Sequence, residues 1–260
     1  MSQSQRPILV EPRAAGVLLV TLNRPQQLNA LSGALIEALG QTLFDAAADR
    51  NVRCVVLTGS ERVFSAGADI KEMASRGIAA IDYPARQEAW RRIERFPKPL
   101  AAAVEGLCLG GGHELALLAD IIIAGETARF GQPEITIGIL PGDGATQRIA
   151  RVAGKSLAMK MILGGETIDA AGALAAGLIA EAVPAGKALA RALEIAGKIA
   201  EMPPIAAQLA KQAVLAAYES PLSQGLAAER QAIRLAFHTA DQKEGMAAFI
   251  EKRPARFRGE

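Results

Sequence analysis

Three short segments, residues 54–58, 100–104 and 121–124, are almost wholly apolar, and turn or helix patterns separate them. Runs of that kind suit strands covered on both faces, which helices packed over a parallel sheet provide. Parallel neighbours in turn require crossover connections, so the intervening stretches must fold as helices or long returns. Residues 17–22 form a further β-branched run, ended by Asn23-Arg24-Pro25. Ser32 is placed to cap a helix running to about Asp49, with Leu35, Ile36, Leu39, Leu43 and Ala46 on one stripe. The chain therefore reads as α/β.

From about residue 143 the pattern turns mostly helical. Asp169 and Pro203-Pro204 mark helix starts. Leu189, Leu193 and Ala196 recur at helical spacing, with Glu194 and Lys198 as an i,i+4 pair. Residues 178–183 read as one strand among helices, and 203–218, 221–237 and 240–252 as amphipathic helices. No internal repeat is visible in the sequence. The chain divides into a core over residues 1–200 and a helical region over 201–260.

With 260 residues the chain can bury a large core. Half its residues are hydrophobic but only 4% are aromatic, which favours closely packed helices and strands. A net charge of +2 supplies no general field for nucleic acid or membrane. Cys54 and Cys108 lie in apolar runs without metal-ligand spacing and read as buried reduced thiols. The N-terminus lacks a signal-peptide core, and no apolar run reaches the ~18 to 20 residues that span a bilayer. The expectation is a soluble cytoplasmic protein.

The chemistry concentrates around Gly110-Gly111-Gly112-His113-Glu114, with a second glutamate in Phe130-Gly131-Gln132-Pro133-Glu134. Glycines let a ligand approach backbone N–H groups, and the N–H groups of a helix start attract negative charge. Two carboxylates beside an anion-binding turn suit proton transfer next to a carbonyl whose oxygen becomes negative. Taken singly, each glutamate has an ordinary explanation: Glu114 as helix-start stabiliser, Glu134 as loop carboxylate. Phe64-Ser65-Ala66-Gly67-Ala68-Asp69-Ile70-Lys71 supplies a second turn, where Asp69 can cap a helix and the Ala68 N–H can face a pocket. An ordinary strand-to-helix turn is the simpler account of that motif alone. His113 and His238 read as packing or surface residues, and two distant histidines make a metal site unfavoured. Gly154-Lys155-Ser156 fails as a P-loop because Ile149 stands where glycine is required. Val63-Phe64-Ser65-Ala66-Gly67 departs from the nucleophile elbow at Val63, leaving Ser65 with His238 as a weak serine-hydrolase alternative.

Several motifs in order along the chain carry a resemblance. Asn23-Arg24-Pro25 with Leu28-Asn29-Ala30-Leu31, the 64–71 and 110–116 segments, Phe130 to Glu134, Pro141-Gly142 with Thr146-Gln147-Arg148, and residues 241–249 are similar to the enoyl-CoA hydratase/isomerase (crotonase) family. The resemblance implies a crotonase-like spiral of ββα units with a C-terminal helical trimerisation region, and trimers often paired into hexamers. It implies an oxyanion hole from the N–H groups of Ala68 and Gly111, and catalytic roles for Glu114 and Glu134. It implies syn-addition of water to a trans-2-enoyl-CoA, giving a 3-hydroxyacyl-CoA, in fatty-acid β-oxidation or phenylacetate-type degradation. No cofactor is implied, coenzyme A being part of the substrate, and no nucleic-acid or membrane partner. Arg24, Leu28, Ala66, Ala68, Asp69, Ile70, Lys71, Gly142 and Arg258 are the implied substrate-binding residues, with Arg256 also a candidate for coenzyme A phosphates. Residues 225–231 are similar to bacterial hydratases of phenylacetate breakdown. Δ3,Δ2-Enoyl-CoA isomerisation is the main alternative on the same scaffold, and an RNA-binding relative a weaker one. The sequence departs from the family pattern at Gln26, at His113 where cysteine is frequent, and at Asp143 within Pro141-Gly142-Asp143-Gly144-Ala145. Asp143 raises the prospect of an altered acyl-chain preference.

Overall fold

The computed structural model describes residues 6–260. An N-terminal hairpin of β1 (Ile8–Pro12) and β2 (Val17–Leu22) leads through a turn into α1 (Gly33–Ala48). The Ser32 hydroxyl accepts the Leu35 N–H at 3.3 Å, so the expected N-cap is present.

Three ββα passes follow. β3 (Cys54–Thr58), β4 (Val63–Ser65) and α2 (Ile70–Arg76) form the first, and α3 (Pro84–Glu94) follows it. β5 (Leu100–Val104), β6 (Leu107–Leu109) and α4 (Gly111–Ala116) form the second. β7 (Ile121–Gly125) and β8 (Arg129–Gly131) lead through a 3₁₀ turn, Pro133–Ile137, to α5 (Ala145–Gly164) in the third. Each pass places its first strand in one sheet and its second in another. The chain thus winds as the expected spiral, with a repeat of structure that the sequence does not display.

The larger sheet has the order β1-β2-β3-β5-β7-β10, where β10 is Glu181–Val183, and is parallel from β2 onward. The smaller sheet is β4-β6-β8-β9, with β9 (Thr167–Asp169) antiparallel to β8. The expected strand over 178–183 is shorter than read. Leu178 and Ile179 are buried against the core as loop, and pairing begins only at Glu181.

One face of the larger sheet is covered by α1, α3 and the smaller sheet. The other face receives α7 (Ala188–Ala200), whose Ala188, Ala192, Ala196 and Ala200 are all buried. Methyl side chains at i,i+4 spacing let that helix lie close to the sheet, so low aromatic content and dense packing go together here. α6 (Ala170–Ala175) is capped by Asp169, as read. Three further helices close the chain: α8 (Pro204–Ala216), α9 (Leu222–Phe237) and α10 (Ala240–Glu251). Lys211 of α8 ties them to the core, pairing with Asp120 at 2.9 Å and donating to the Lys98 carbonyl. Both cysteines are buried free thiols, and burial first of all pushes Cys54 up to about 12. Among the described residues no helix is long and apolar enough to cross a membrane.

Candidate active site

The strand-to-helix turns after β4 and β6 lie side by side, a methyl built on Gly67 falling 3.6 Å from the Gly111 nitrogen. In the first turn, Gly67 adopts φ +108°, a conformation that favours glycine. Ser65 is fully buried; its hydroxyl donates to the Asn29 carbonyl and accepts the Gly67 N–H. The Ala66 N–H donates to Leu28 and the Asp69 N–H to Leu31. The Ala68 N–H has no acceptor among the described residues. In the second turn, Gly110 (φ +52°) precedes α4, so the Gly111 N–H is one of the unpaired donors of a helix start. A methyl group built on Gly111 would lie 3.6 Å from the Ala68 nitrogen. The two expected oxyanion donors are therefore neighbours.

Glu114 lies in the first turn of α4 and is 2% exposed. Its Oε1 accepts the Asp143 N–H at 2.8 Å and the Ala145 N–H at 2.9 Å. α4 is shorter than the helix read over 112–119, and the chain beyond it continues in turns. Glu134 approaches from the 3₁₀ turn after β8, and a methyl on Gly110 would sit 2.6 Å from its Oε1. Both carboxylates thus flank the glycine turn.

Burial pushes Glu114 up to about 7, and the charges of Asp143 and Glu134 add to that, against the two N–H bonds. Burial also raises Glu134, again helped by the Asp143 charge. A stability consequence follows for Glu114. Its folded pKa lies above the unfolded value, so its contribution to stability is full below about pH 4.5 and is lost as pH rises through about 7. Glu114→Gln keeps the oxygen that accepts both N–H bonds and removes the buried charge. It is expected to melt about 5 °C above the parent at pH 8 and level with it at pH 4, by calorimetry. An equal melting temperature at pH 8 would contradict the assignment of a costly buried carboxylate.

His113 is fully buried, packs against Phe130 at 5.4 Å between ring centres, and is held neutral, pushed down to about 4 chiefly by burial. In the amide orientation that satisfies both neighbours, Gln132 accepts from His113 Nδ1 at 3.2 Å and donates to the Glu134 carboxylate at 3.1–3.2 Å. The packing role read for His113 is thus joined to one of orienting Gln132. His238 instead lies at the end of α9, bonded to the Arg234 carbonyl. Ser65 and His238 belong to different parts of the molecule, and the hydroxyl of Ser65 is buried in the turn, which removes the hydrolase alternative.

Arg24 pairs with Asp69 at 2.9 Å and also donates to the Ala30 carbonyl. Burial opposes ionisation of Asp69, but the Arg24 bond and charge outweigh it and hold the carboxyl below its usual range. Asp69 caps α2 through the Glu72 N–H, as read. Leu28 and Ile70 are each half exposed, and Lys71 is exposed, along the lip of the first turn; Ala66 lies beside them, and Gln26 is exposed on the preceding turn. Gly142 is exposed within the 141–145 loop that holds Glu114. Arg258 is not brought to this site. It lines a hollow with Asp241, Glu244, Arg253 and Arg256, and its N–H bonds Asp241. The basic tail is folded back rather than free: Arg253 pairs with Glu244 and Glu251.

Two contributors escaped sequence reasoning. Asn29, fully buried, donates to Val63 and Phe64 and so fastens the 24–31 turn to β4. Arg86 of α3 pairs with Asp143 at 2.6 Å. Asn29 stands inside a motif and was within reach, whereas Arg86 lies in a polar helix with no local signal.

The sequence matches the family model described as enoyl-CoA hydratase/isomerase over residues 12–260. It is 49% identical over 251 residues to the 2,3-dehydroadipyl-CoA hydratase of Escherichia coli K12, spanning 96% of this chain and 98% of that one. It is 48% identical to a probable enoyl-CoA hydratase of Rhizobium meliloti, covering 98% and 99% of the two chains. The crystal structure of an enoyl-CoA hydratase from Bacillus anthracis superposes with a TM-score of 0.92 at 40% identity, covering 98% of this chain and all of that one. Motif order, spiral fold and relatives agree, and the chain belongs to the enoyl-CoA hydratase/isomerase family.

Proposed function

We propose that the protein is an enoyl-CoA hydratase that adds water to a trans-2-enoyl-CoA. The observation that carries the reading is the placement of Glu114 and Glu134 on either side of a glycine turn that also presents the Ala68 and Gly111 N–H groups. The thioester oxygen sits between those two N–H groups. A water lies between the carboxylates. Glu114 takes its proton as the oxygen bonds to the β-carbon, and the π electrons move onto the thioester oxygen. As that enolate collapses, the α-carbon takes a proton from Glu134 on the same face. Each oxyanion donor is worth ~3 to 4 kcal/mol of barrier. No cofactor is needed beyond the coenzyme A of the substrate.

Leu28, Ala66, Ile70 and Lys71 along the first turn, with Gly142 opposite, are the surfaces offered to pantetheine and acyl chain. Arg24, committed to Asp69, acts by shaping that turn. Arg258 and Arg256 serve coenzyme A phosphates only if a neighbouring subunit presents them. The assembly proposed is a trimer or a pair of trimers built through residues 201–260, appended to the 1–200 core. Its support is the apolar surface of the last helices, where Leu222, Phe249 and Ile250 are 78–85% exposed. Sedimentation is expected to give a mass three or six times that of the chain; a monomer would overturn this. The proposed setting is the cytoplasm, consistent with two unpaired cysteines.

Relatives with this chemistry include one named for a dicarboxylic substrate, so dehydroadipyl-CoA belongs in the substrate panel with short-chain enoyl-CoAs. Product analysis on 2-enoyl and 3-enoyl thioesters tests the reaction. The expected result is a 3-hydroxyacyl-CoA from the 2-enoyl substrate. Isomerisation of the 3-enoyl substrate much faster than any hydration would overturn it.

A further inference from the structure

Asp143 stands at the first of the two backbone N–H groups that hold Glu114. Its side chain does not face water freely. Arg86 grips it through both terminal guanidinium nitrogens, Nη1 to Oδ1 at 3.1 Å and Nη2 to Oδ2 at 2.6 Å. The two side chains are only 10% and 19% exposed. Arg86 is itself anchored, donating to the Ile81 carbonyl and lying 5.6 Å from the Trp90 ring. A second arginine, Arg148 of α5, donates to the Asp143 carbonyl at 3.1 Å and is neutralised by Glu94 of α3. The 141–145 loop is therefore clamped from α3 on its side chain and from α5 on its backbone.

The charges around Glu114 can be named element by element. Glu134 comes from the 3₁₀ turn, Asp143 from the loop, Arg86 and Glu94 from α3, and Arg148 from α5. His113 on α4 is neutral and turned toward Gln132. Of these, Asp143 is the negative charge nearest the N–H bond to Glu114, and Arg86 is its direct counter-ion. A bidentate arginine–carboxylate pair fixes geometry as well as charge.

We propose that the Arg86–Asp143 pair is a positioning element for Glu114, holding the loop whose N–H groups orient the carboxylate and offsetting part of the negative charge beside it. Neither residue touches the reacting atoms. The proposal rests on the hydratase reading only for its kinetic readout.

The two single variants make the inference testable because they act with opposite sign. Asp143→Asn keeps an oxygen for Arg86 but removes the negative charge, leaving a net positive neighbour that favours ionised Glu114. The acidic limb of the pH–kcat profile is expected to move about one pH unit down. Arg86→Met leaves Asp143 uncompensated, and the limb is expected to move about one unit up. The double variant returns it close to the parent, and Arg86→Lys restores it relative to Arg86→Met. A purely structural clamp would lower kcat in all variants with the limb unmoved. That result, or a shift in the same direction in both single variants, overturns the proposal. Should Arg86→Met not fold, Asp143→Asn and Arg86→Lys decide: the limb must fall in the first and hold its place in the second. An isotope-edited infrared titration of the Glu114 carboxyl, assigned by its loss in Glu114→Gln, reads the same shifts without turnover. A parent enzyme that fails to hydrate 2-enoyl-CoA thereby defeats the functional reading while the infrared shifts still judge the pair.

Discussion

Glu114→Gln and Glu134→Gln are each expected to lower kcat for hydration about 10³-fold while leaving the fold intact. General acid–base catalysis contributes typically ~10²–10⁴, and each substitution removes one proton-transfer group without changing shape. In Glu114→Gln the amide oxygen still accepts the Asp143 and Ala145 N–H bonds, so the 141–145 loop stays where it is. In Glu134→Gln the Gln132 amide still finds an oxygen. Circular dichroism of both variants should match the parent. Because the two groups serve one turnover, the double variant should lose little more than the worse single one. Near-normal turnover in either single variant would remove that glutamate from the mechanism.

The second large effect concerns the oxyanion turn. A methyl on Gly112 would meet the Ser65 carbonyl and Cβ at 2.6 Å. Backbone cannot yield there as a flexible side chain would. Ser65 is also the residue whose hydroxyl holds the Gly67 N–H and reaches Asn29. Pushing Ser65 away therefore moves the Gly67–Ala68 peptide, and with it the Ala68 N–H. Gly112→Ala is expected to cost ~10²–10³ in kcat, the loss seen when one oxyanion donor is withdrawn, with lowered thermal stability. Gly197→Ala, on α7 with open space around it, is the control and should leave kcat within about twofold. Steady-state kinetics on both variants checks the argument, and an unimpaired Gly112→Ala would show that the turn tolerates the shift.

The parts of the fold legible in the sequence are those where one local pattern settles the outcome. β2, β3 and β5 begin and end where their apolar runs do, because strands buried on both faces carry no alternation to blur their limits. α1 is bounded by a capping serine at one end and Asp49 at the other. The smaller sheet was not legible, since β4, β6 and β8 have three residues each, too few for any period to show. For the same reason the ββα repeat is hidden: its units share architecture but not length or composition. α3 is strongly polar along most of its length, and its short buried stripe, Arg86, Ala89, Trp90 and Ile93, includes a charged residue, so the stripe does not stand out in the sequence.

The site divides the same way. Glu114, Glu134, Ala68 and Gly111 sit in motifs whose glycines announce a turn, and the structure brings them together. Gln132 stands inside a motif, but its bond to Glu134 depends on His113, which only the buried geometry reveals. Arg86 and Asp143 are 57 residues apart and meet only because α3 lies over the 141–145 loop. Long-range pairs between ordinary polar residues leave no local trace.

The central claim is that this pair of carboxylates adds one water across an enoyl thioester. The most direct measurement is turnover of crotonyl-CoA in ¹⁸O-enriched water, with the product analysed by mass spectrometry. The account predicts rapid formation of 3-hydroxybutyryl-CoA carrying the label on the C3 hydroxyl, slowed about 10³-fold in Glu114→Gln and in Glu134→Gln. Label-free product, or no 3-hydroxyacyl-CoA from any 2-enoyl-CoA in the panel while coenzyme A thioesters still bind, would contradict it.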